Sequence, residues 1–239
     1  MIRGTAGDDV VRGGAGNDYL LGLDGADQLD GGEGFDVAAY SESRTGVTID
    51  LTDPSQSTGE ARGDTYVSIE VFRLTDFADT FIGGARVEND ANNDVETVYG
   101  FGGDDVMDGG TVASPQGGSY RFFGGEGNDV LRTGTGADEL YGGTGDDMLT
   151  VTDQSGGSRL YGGEGADRFV FEAGADADIF DYEKGVDVLD LSDIGVAFES
   201  LSIFELGGTT RIDFEGDGVS EIRLVGLTGI DLSEDDFIL

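Results

Sequence analysis

The sequence of 239 residues lacks cysteine, histidine and tryptophan, and it contains only two prolines. Without cysteine or histidine the chain cannot form a thiol nucleophile, a Ser-His-Asp triad, or an ordinary zinc or iron–sulfur site. No disulfide bond can form either, so cysteine usage says nothing about the compartment in which the protein works. These absences exclude several classes of enzyme before any motif is considered.

Positive charge is also scarce, because 13 basic residues face 50 acidic ones and the net charge is −37. A surface this negative repels phosphate groups, so we expect no binding to nucleic acid or to anionic membranes. No apolar run is long enough to span a bilayer, so we expect no membrane insertion. The first four residues, MIRG, are not a typical start of a signal peptide, so we expect no N-terminal signal peptide.

Glycine, in contrast, is abundant, with 44 residues. An acidic, glycine-rich chain fits either a disordered polyanion or a folded protein whose negative charge binds cations. The hydrophobic content of 37%, with 14 phenylalanines and 8 tyrosines, favours the folded protein.

A nine-residue repeat decides between these two interpretations. Four units follow one another without a gap from Gly4: GTAGDDVVR, GGAGNDYLL, GLDGADQLD and GGEGFDVAA. The unit GFGGDDVMD begins at Gly100, three contiguous units begin at Gly124, GGEGADRFV begins at Gly162, and a degenerate unit begins at Leu74. Most units have glycine in the first, second and fourth places and aspartate in the sixth place.

The unit resembles the G-G-x-G-x-D-x-U-x nonapeptide of the RTX family, which comprises calcium-binding proteins secreted by the type I pathway. The resemblance implies an all-β fold. More specifically, it implies a right-handed parallel β-roll of nonapeptide repeats in two blocks, followed by a C-terminal β-strand cap. It also implies calcium as the bound cation.

The chemistry of a single unit is consistent with this resemblance. In the second unit, residues 19–21 form a short strand whose middle side chain, Leu20, points inward, and residues 13–18 form a turn. Glycine in the first, second and fourth places permits positive φ and lets carbonyl oxygens lie close together. The sixth-place aspartate adds an anionic oxygen, and such a flexible set of oxygens suits Ca²⁺ better than Mg²⁺.

Strands of three residues are stable only when coils stack on one another. Two units per coil would place units n and n+2 on the same edge with an ion between them, so Asp9 would share an ion with Asp27, and Asp18 with Asp36. Glycine–aspartate turns occur in many β-rich proteins, but eight clear units, two groups of them in unbroken succession, disfavour that explanation.

The predicted metal ligands are therefore the sixth-place aspartates and the second- and fourth-place glycines. The aspartates are Asp9, Asp18, Asp27, Asp36, Asp79, Asp105, Asp129, Asp138, Asp147 and Asp167. The glycines are Gly7, Gly14, Gly16, Gly25, Gly32, Gly34, Gly103, Gly125, Gly127, Gly136, Gly143, Gly145, Gly163 and Gly165. Sharing of ions between turns predicts roughly six to eight Ca²⁺.

Four regions are expected along the chain. Residues 1–39 form a first block of the β-roll, and residues 40–73 form wider β rungs that break the nonapeptide period. The segment from Asp64 to Phe72 resembles one that often interrupts RTX arrays. Residues 74–171 form a second block with loop insertions, and residues 172–239 form a C-terminal capping and secretion region.

The insertions of the second block are expected to fall on one edge of the roll. The other edge would then carry one continuous calcium ladder of Asp79, Asp105, Asp129, Asp147 and Asp167. The edge with the insertions would keep Asp138 and would bulge at residues 89–96, 111–119 and 152–158. These bulges are either tolerated variation in loop length or a binding face made of three adjacent loops.

The C-terminal region no longer follows the nonapeptide period. Residues 178–192 resemble the terminal cap of RTX and serralysin-like domains, and residues 201–206, 209–214 and 219–225 are candidate strands, the first two joined as a hairpin at Gly207 and Gly208. A cap protects apolar rungs and strand edges at the end of a roll. Residues 235–239, DDFIL, resemble the end of uncleaved type I secretion signals, or they form a final edge strand.

Three functions follow from these expectations. The first is a non-enzymatic calcium-binding module that folds on binding calcium outside the cell and supports type I secretion of itself or of a larger protein, with the type I secretion machinery as its partner. The second is a calcium-dependent adhesin or polysaccharide-binding module, like the RTX modules of alginate-modifying enzymes, with a polysaccharide or cell surface as its partner. The third is a hydrolase or lyase that uses paired carboxylates.

Overall fold

The computed structural model describes residues 1–84, 95–110, 118–152, 157–214, 216 and 218–239. Within these ranges the chain forms short β-strands and four short 3-10 turns, at Pro54–Gln56, Gly59–Ala61, Phe198–Ser200 and Glu234–Asp236. The described part of the chain contains no α-helix and hence no helix that could cross a membrane. In chain order the strands are β1 (Ile2–Arg3), β2 (Val10–Ala15), β3 (Tyr19–Leu21), β4 (Gln28–Glu33), β5 (Val37–Ala39), β6 (Thr48–Asp50), β7 (Thr65–Val67), β8 (Val71–Arg73), β9 (Thr80–Ile82), β10 (Val95–Gly102), β11 (Val106–Asp108), β12 (Ser119–Glu126), β13 (Val130–Arg132), β14 (Glu139–Thr144), β15 (Met148–Val151), β16 (Ser158–Glu164), β17 (Arg168–Phe171), β18 (Ala177–Ile179), β19 (Val188–Asp190), β20 (Ser202–Glu205), β21 (Thr209–Asp213), β22 (Ile222–Val225) and β23 (Phe237–Ile238).

The strands form three sheets. The twelve-stranded sheet has the order β1-β3-β5-β8-β10-β12-β14-β16-β18-β22-β21-β20, the eight-stranded sheet β23-β19-β17-β15-β13-β11-β9-β6, and the three-stranded sheet β2-β4-β7. All strand pairs are parallel except β20–β21 and β21–β22, which are antiparallel. This alternation of strands between facing parallel sheets confirms the prediction of a parallel β-roll.

The register of the strands shows that each coil contains two repeats. Ile2 pairs with Leu20, and Val10 pairs with Gln28, so the coil length in the first array is eighteen residues. In the second array Leu131 pairs with Leu149 at the same spacing, whereas Phe81 pairs with Met107 twenty-six residues later. Units n and n+2 therefore stack as predicted, and coils with insertions keep the strand register.

The core consists of the middle side chains of the short strands. These side chains point between the facing sheets and are fully buried, and they include Leu20, Leu29, Phe81, Met107, Leu131, Leu140, Leu149, Leu160, Phe169 and Leu189. They belong to one continuous apolar cluster that extends through both arrays. The alternation of one inward residue with two flanking residues explains how strands of three residues maintain a core.

Residues 40–73 join the two arrays. They contribute β6 to the eight-stranded sheet, β7 to the three-stranded sheet and β8 to the twelve-stranded sheet. Strand β5 pairs directly with β8, so the twelve-stranded sheet continues past the break in the repeat. The opposite face changes here from the three-stranded to the eight-stranded sheet.

The C-terminal strands cover the last coil. Strands β18 and β19 continue the parallel stacking, and β23 pairs with β19 at the end of the eight-stranded sheet. Strands β20, β21 and β22 add an antiparallel end to the twelve-stranded sheet, and the expected hairpin at Gly207 and Gly208 joins β20 to β21. Each of these two sheets therefore ends in a strand from the C-terminal part of the chain.

A row of stacked aromatic rings runs along the outer face of the twelve-stranded sheet. Neighbouring rings lie 4.5 to 4.9 Å apart between centroids, with planes 7° to 12° from parallel. Four of the rings come from the successive strands β10, β12, β14 and β16, and the fifth comes from the residue directly after β18. The row consists of Tyr99, Phe123, Tyr141, Tyr161 and Phe180.

Candidate calcium-binding turns

The glycines of the turns adopt the backbone conformation expected for the second and fourth places. All the predicted glycines in these places have positive φ except Gly7. The expectation was wrong for the first place, because Gly13, Gly124 and Gly142 and their equivalents do not have positive φ. Glycine is required in the first place because the side chain of the sixth-place aspartate lies very close to it.

That close approach is between the first-place glycine and the sixth-place aspartate of the same turn. A Cβ atom added at Gly100 would lie 2.0 Å from Asp105 Oδ2, and one added at Gly124 would lie 2.1 Å from Asp129 Oδ2. Any side chain here would fill the space in front of the carboxylate oxygen. The first glycine therefore keeps this space open.

Hydrogen bonds link the sixth-place aspartates of successive coils. In each link, the backbone N–H of one aspartate donates to Oδ1 of the aspartate in the next coil, with N···O distances from 2.7 to 3.0 Å. The pairs, with the donor first, are Asp9 and Asp27, Asp18 and Asp36, Asp79 and Asp105, Asp105 and Asp129, Asp129 and Asp147, and Asp147 and Asp167. The structure thus brings the predicted aspartates together in continuous rows.

Three further acidic residues extend these rows and were missed in the sequence. Asp64 Oδ1 accepts from the Asp27 N–H at 2.8 Å, and Glu70 Oε2 accepts from the Asp36 N–H at 2.7 Å. Asp187 Oδ1 accepts from the Asp167 N–H at 3.0 Å. Each had a sequence signal, because Asp64 and Glu70 belong to the segment from Asp64 to Phe72 described above, and Asp187 is the sixth residue of the degenerate unit YEKGVDVLD with glycine in the fourth place.

On the opposite edge of the second array, Asp138 lies in a less regular row. Asp138 Oδ1 accepts from the Tyr120 N–H at 2.6 Å, and the Asp138 N–H donates to Ser158 Oγ at 3.3 Å. The expected bulges at residues 89–96, 111–119 and 152–158 lie largely outside the described residues. The described strands before the bulges, β9, β11 and β15, belong to the eight-stranded sheet, and those after them, β10, β12 and β16, belong to the twelve-stranded sheet.

A second row of hydrogen bonds, formed by fifth-place residues, runs in the opposite direction. Asp104 Oδ1 accepts from the Asn128 N–H, Asn128 Oδ1 accepts from the Asp146 N–H, and Asp146 Oδ1 accepts from the Ala166 N–H, each at 2.8 Å. The fifth place varies in sequence and was given no role there. Together, the two rows attach each turn to both of its neighbours through carboxylate and amide side chains.

The other carboxylate oxygen distinguishes the sixth-place aspartates. Among the described residues, Oδ2 is buried and accepts no hydrogen bond in Asp27, Asp105, Asp129, Asp147 and Asp167. A buried carboxylate oxygen without a partner is costly, because desolvation is not compensated. A bound proton or a bound cation would remove this cost.

The pKa values of these carboxyl groups reflect this cost. Burial, together with nearby aspartates, raises the pKa of Asp105 to about 8 and that of Asp147 to about 7. Burial likewise raises the pKa of Asp129 and Asp167 to about 6. The row of carboxylates is thus unfavourable as a row of bare charges at neutral pH.

The oxygen atoms around these carboxylates fit calcium. No group of three or more His, Cys, Asp or Glu side chains that could hold a metal ion occurs among the described residues. Carbonyl groups are concentrated here, since a Cβ at Gly143 would lie 2.2 Å from Gly125 O and one at Gly163 would lie 2.0 Å from Gly143 O. Carbonyls with one or two carboxylates form the ligand set that Ca²⁺ prefers.

The chain was compared with family models, curated proteins and solved structures. The family model of the RTX calcium-binding nonapeptide repeat matches four times, at residues 3–38, 97–111, 123–154 and 150–178. No match is found among curated proteins. Among solved structures, the extracellular lipase LipA from Serratia marcescens has 17% sequence identity and a TM-score of 0.27, and the match covers 99% of this chain and 39% of the lipase. The nonapeptide units of this chain belong to the RTX calcium-binding repeat family.

Proposed function

We propose that the chain is a calcium-dependent folding module of a type I-secreted protein. The observation that carries this proposal is the set of buried Oδ2 atoms without a hydrogen-bond donor in Asp27, Asp105, Asp129, Asp147 and Asp167. The ten sixth-place aspartates and the turn glycines predicted from the sequence are the proposed sites, with the turn carbonyls as additional ligands.

Calcium when bound supplies positive charge and accepts six to eight oxygen ligands in a flexible arrangement. The residues of this chain perform the remaining tasks. The backbone amides hold each Oδ1 in place, as the Asp79 N–H does for Asp105, and this leaves Oδ2 directed at the turn. The glycines keep the space around Oδ2 free of side chains.

Without calcium the same arrangement opposes folding. The chain carries a net charge of −37, and the rows place carboxylates in adjacent coils. Repulsion between them adds to the desolvation cost and favours an expanded chain. Binding of several ions to the folded state alone would then supply the free energy that stabilises the roll.

This dependence suits a protein that folds only after export. Extracellular calcium modules bind in the range of about 10⁻⁴ to 10⁻³ M, far above cytosolic calcium concentrations. We propose that the chain stays expanded inside the cell and folds outside, either alone or as part of a larger secreted protein, without a catalytic role of its own. In this proposal residues 1–39 and 74–171 are the two calcium-binding blocks, residues 40–73 join them, and residues 172–239 cap the roll and contribute to secretion.

Circular dichroism during a calcium titration tests the proposal. We expect the metal-free chain to have little β-structure in excess chelator and to gain it cooperatively as calcium rises through the millimolar range. The control is the same titration with sodium chloride at matched ionic strength, which separates screening from binding. A chain with full β-structure in chelator would contradict the proposal.

A further inference from the structure

The sixth-place aspartates fall into two groups according to the partner of Oδ2. In Asp27, Asp105, Asp129, Asp147 and Asp167 this buried oxygen accepts no hydrogen bond from the described part of the chain. In four others it accepts a bond from the chain itself. These are Asp9, Asp79, Asp138 and Asp187.

In the second group the donor is always the backbone amide four residues earlier, which is the second place of the same turn. Thr5 N–H donates to Asp9 Oδ2 at 2.6 Å, and Thr75 N–H donates to Asp79 Oδ2 at 2.7 Å. Both threonine hydroxyls add a second bond, at 2.8 and 2.9 Å. The carboxylate oxygen that would face an ion is therefore already occupied.

The other two members show that threonine is not essential for this bond. Gly134 N–H donates to Asp138 Oδ2 at 2.9 Å, and Glu183 N–H donates to Asp187 Oδ2 at 2.7 Å. Residue types as different as threonine, glycine and glutamate thus make the same contact. The backbone conformation, and not the side chain, must distinguish the two kinds of turn.

That conformation is the φ angle of the second place. In the turns of Asp27, Asp105, Asp129, Asp147 and Asp167, the second-place residue has positive φ and its amide does not bond to Oδ2. The angle lies between 75° and 123° at Gly14, Leu23, Gly32, Phe101, Gly125, Gly143 and Gly163. Thr5, Thr75, Gly134 and Glu183 are absent from the positive-φ residues of the described chain.

We propose that turns with a left-handed second residue are open and hold calcium, whereas turns with a second-place amide on Oδ2 are self-capped and hold no ion on that oxygen. This inference rests on the proposed function and specifies which turns perform it. Asp9 and Asp79 stand at the amino-terminal ends of their rows, and Asp187 stands at the carboxyl-terminal end of the second row. Self-capping is therefore found at three row ends, whereas Asp18, which also begins a row, follows the left-handed Gly14.

Leu23 and Phe101 support this division, because they have φ of 75° without being glycine. A left-handed residue with a side chain costs about 1–2 kcal/mol. A conformation without positive φ accompanies the bond from the amide to Oδ2 in the self-capped turns. The retention of the costly conformation indicates that the open form of these turns has a use.

A crystal structure of the intact chain grown in calcium, with anomalous scattering to locate ions, tests the inference. We expect ions within about 2.3–2.6 Å of Oδ2 in the turns of Asp27, Asp105, Asp129, Asp147 and Asp167. We expect none at that distance from Oδ2 of Asp79 or Asp187. An ion bound to either of these two oxygens overturns the inference.

Ion counting by native mass spectrometry gives a second test with matched variants. Asp105→Asn should lower the number of bound calcium ions by at least one, and Asp187→Asn, which is self-capped and lies outside the ten proposed sites, should leave it unchanged. If Asp105→Asn does not fold, Asp147→Asn replaces it. An equal loss of ions in open and self-capped variants contradicts the inference, whereas a wild-type chain that binds no calcium would contradict the proposed function instead.

Discussion

At the scale of single residues, the second place of the nonapeptide determines what the turn can do. In most open turns this place is glycine, which adopts positive φ without steric cost. Leu23 and Phe101 adopt the same conformation with a side chain present. The second place of these open turns thus keeps its positive φ even where the residue is not glycine.

Replacing Leu23 with glycine should stabilise the folded protein. Relief of left-handed strain is worth about 1–2 kcal/mol, and the added freedom of glycine in the unfolded chain cancels about 0.5–1 kcal/mol of this. We expect the free energy of unfolding in calcium to rise by up to about 1 kcal/mol in urea denaturation. Leu206→Gly, at an exposed leucine without positive φ, is the control and should give no increase.

The raised pKa values predict that acid stabilises the calcium-free fold. An aspartate whose pKa is higher in the folded state binds its proton more tightly there. Its favourable contribution is therefore complete below the unfolded pKa near 3.8 and disappears as the pH rises through the folded values of about 6 to 8.

We expect metal-free protein to gain β-structure by circular dichroism as the pH falls from 8.5 to 5. In the presence of calcium the trend should reverse, because protons and calcium compete for the same carboxylates, and the apparent calcium affinity should weaken with acid. Metal-free β-structure that does not change over this pH range would contradict the burial of these carboxyl groups.

At the scale of strands, contacts between successive coils hold the roll together on its outside as well as in its core. Five aromatic rings stack at 4.5 to 4.9 Å along the twelve-stranded sheet. This distance matches the spacing of neighbouring strands. The faces of the interior rings are covered by their neighbours, so this row is suited to stabilising the sheet and offers ring edges, not faces, to a sugar.

Removal of one interior ring should therefore cost two stacked contacts. Tyr141 stacks on Phe123 at 4.6 Å and on Tyr161 at 4.5 Å. We expect Tyr141→Ala to lower the free energy of unfolding in calcium by about 1–3 kcal/mol, since each aromatic pair contributes about 0.5–1.5 kcal/mol. Tyr141→Phe keeps both contacts and should remain within about 0.5 kcal/mol of wild type, and an equal loss in both variants would contradict the role of stacking.

Much of this fold could be predicted because the repeat is regular. The nine-residue period correctly predicted the parallel roll, the pairing of units n and n+2, and the inward position of residues such as Leu20 and Leu131. The period did not identify Glu70, because its unit TYVSIEVFR contains no glycine, and it did not identify Asp64, because GEARGDTYV keeps glycine in the first place but not in the second or fourth. It also could not predict self-capping, which depends on φ at positions where glycine itself occurs in both conformations.

At the scale of the whole molecule, charge and shape are linked. Ten parallel strands of the twelve-stranded sheet lie side by side, which gives the roll a length of about 45 Å at the usual strand spacing. A row of acidic turns follows the second array on one edge, and two rows flank the first array. Under the proposed function, neutralisation of these rows keeps the molecule compact.

Calcium should change the size of the molecule, and magnesium should do so far less. Compact chains of this length have a radius of gyration of about 18 Å, and unfolded ones about 50 Å. In small-angle X-ray scattering we expect a radius near 20 Å with calcium and a much larger radius with an equal concentration of magnesium, which demands a small octahedral site and retains its water. Equal compaction by both ions would indicate simple charge screening.

The hydrogen bonds between sixth-place aspartates all point the same way, so the roll has a direction along its axis. Each coil provides an acceptor for the amide of the coil before it, as Asp129 does for Asp105 and Asp147 does for Asp129. The repeating unit of the roll is the coil of two nonapeptides, because insertion of one nonapeptide would move every later aspartate to the other edge. During evolution the roll can therefore gain or lose length, and binding capacity with it, in steps of two repeats and not one.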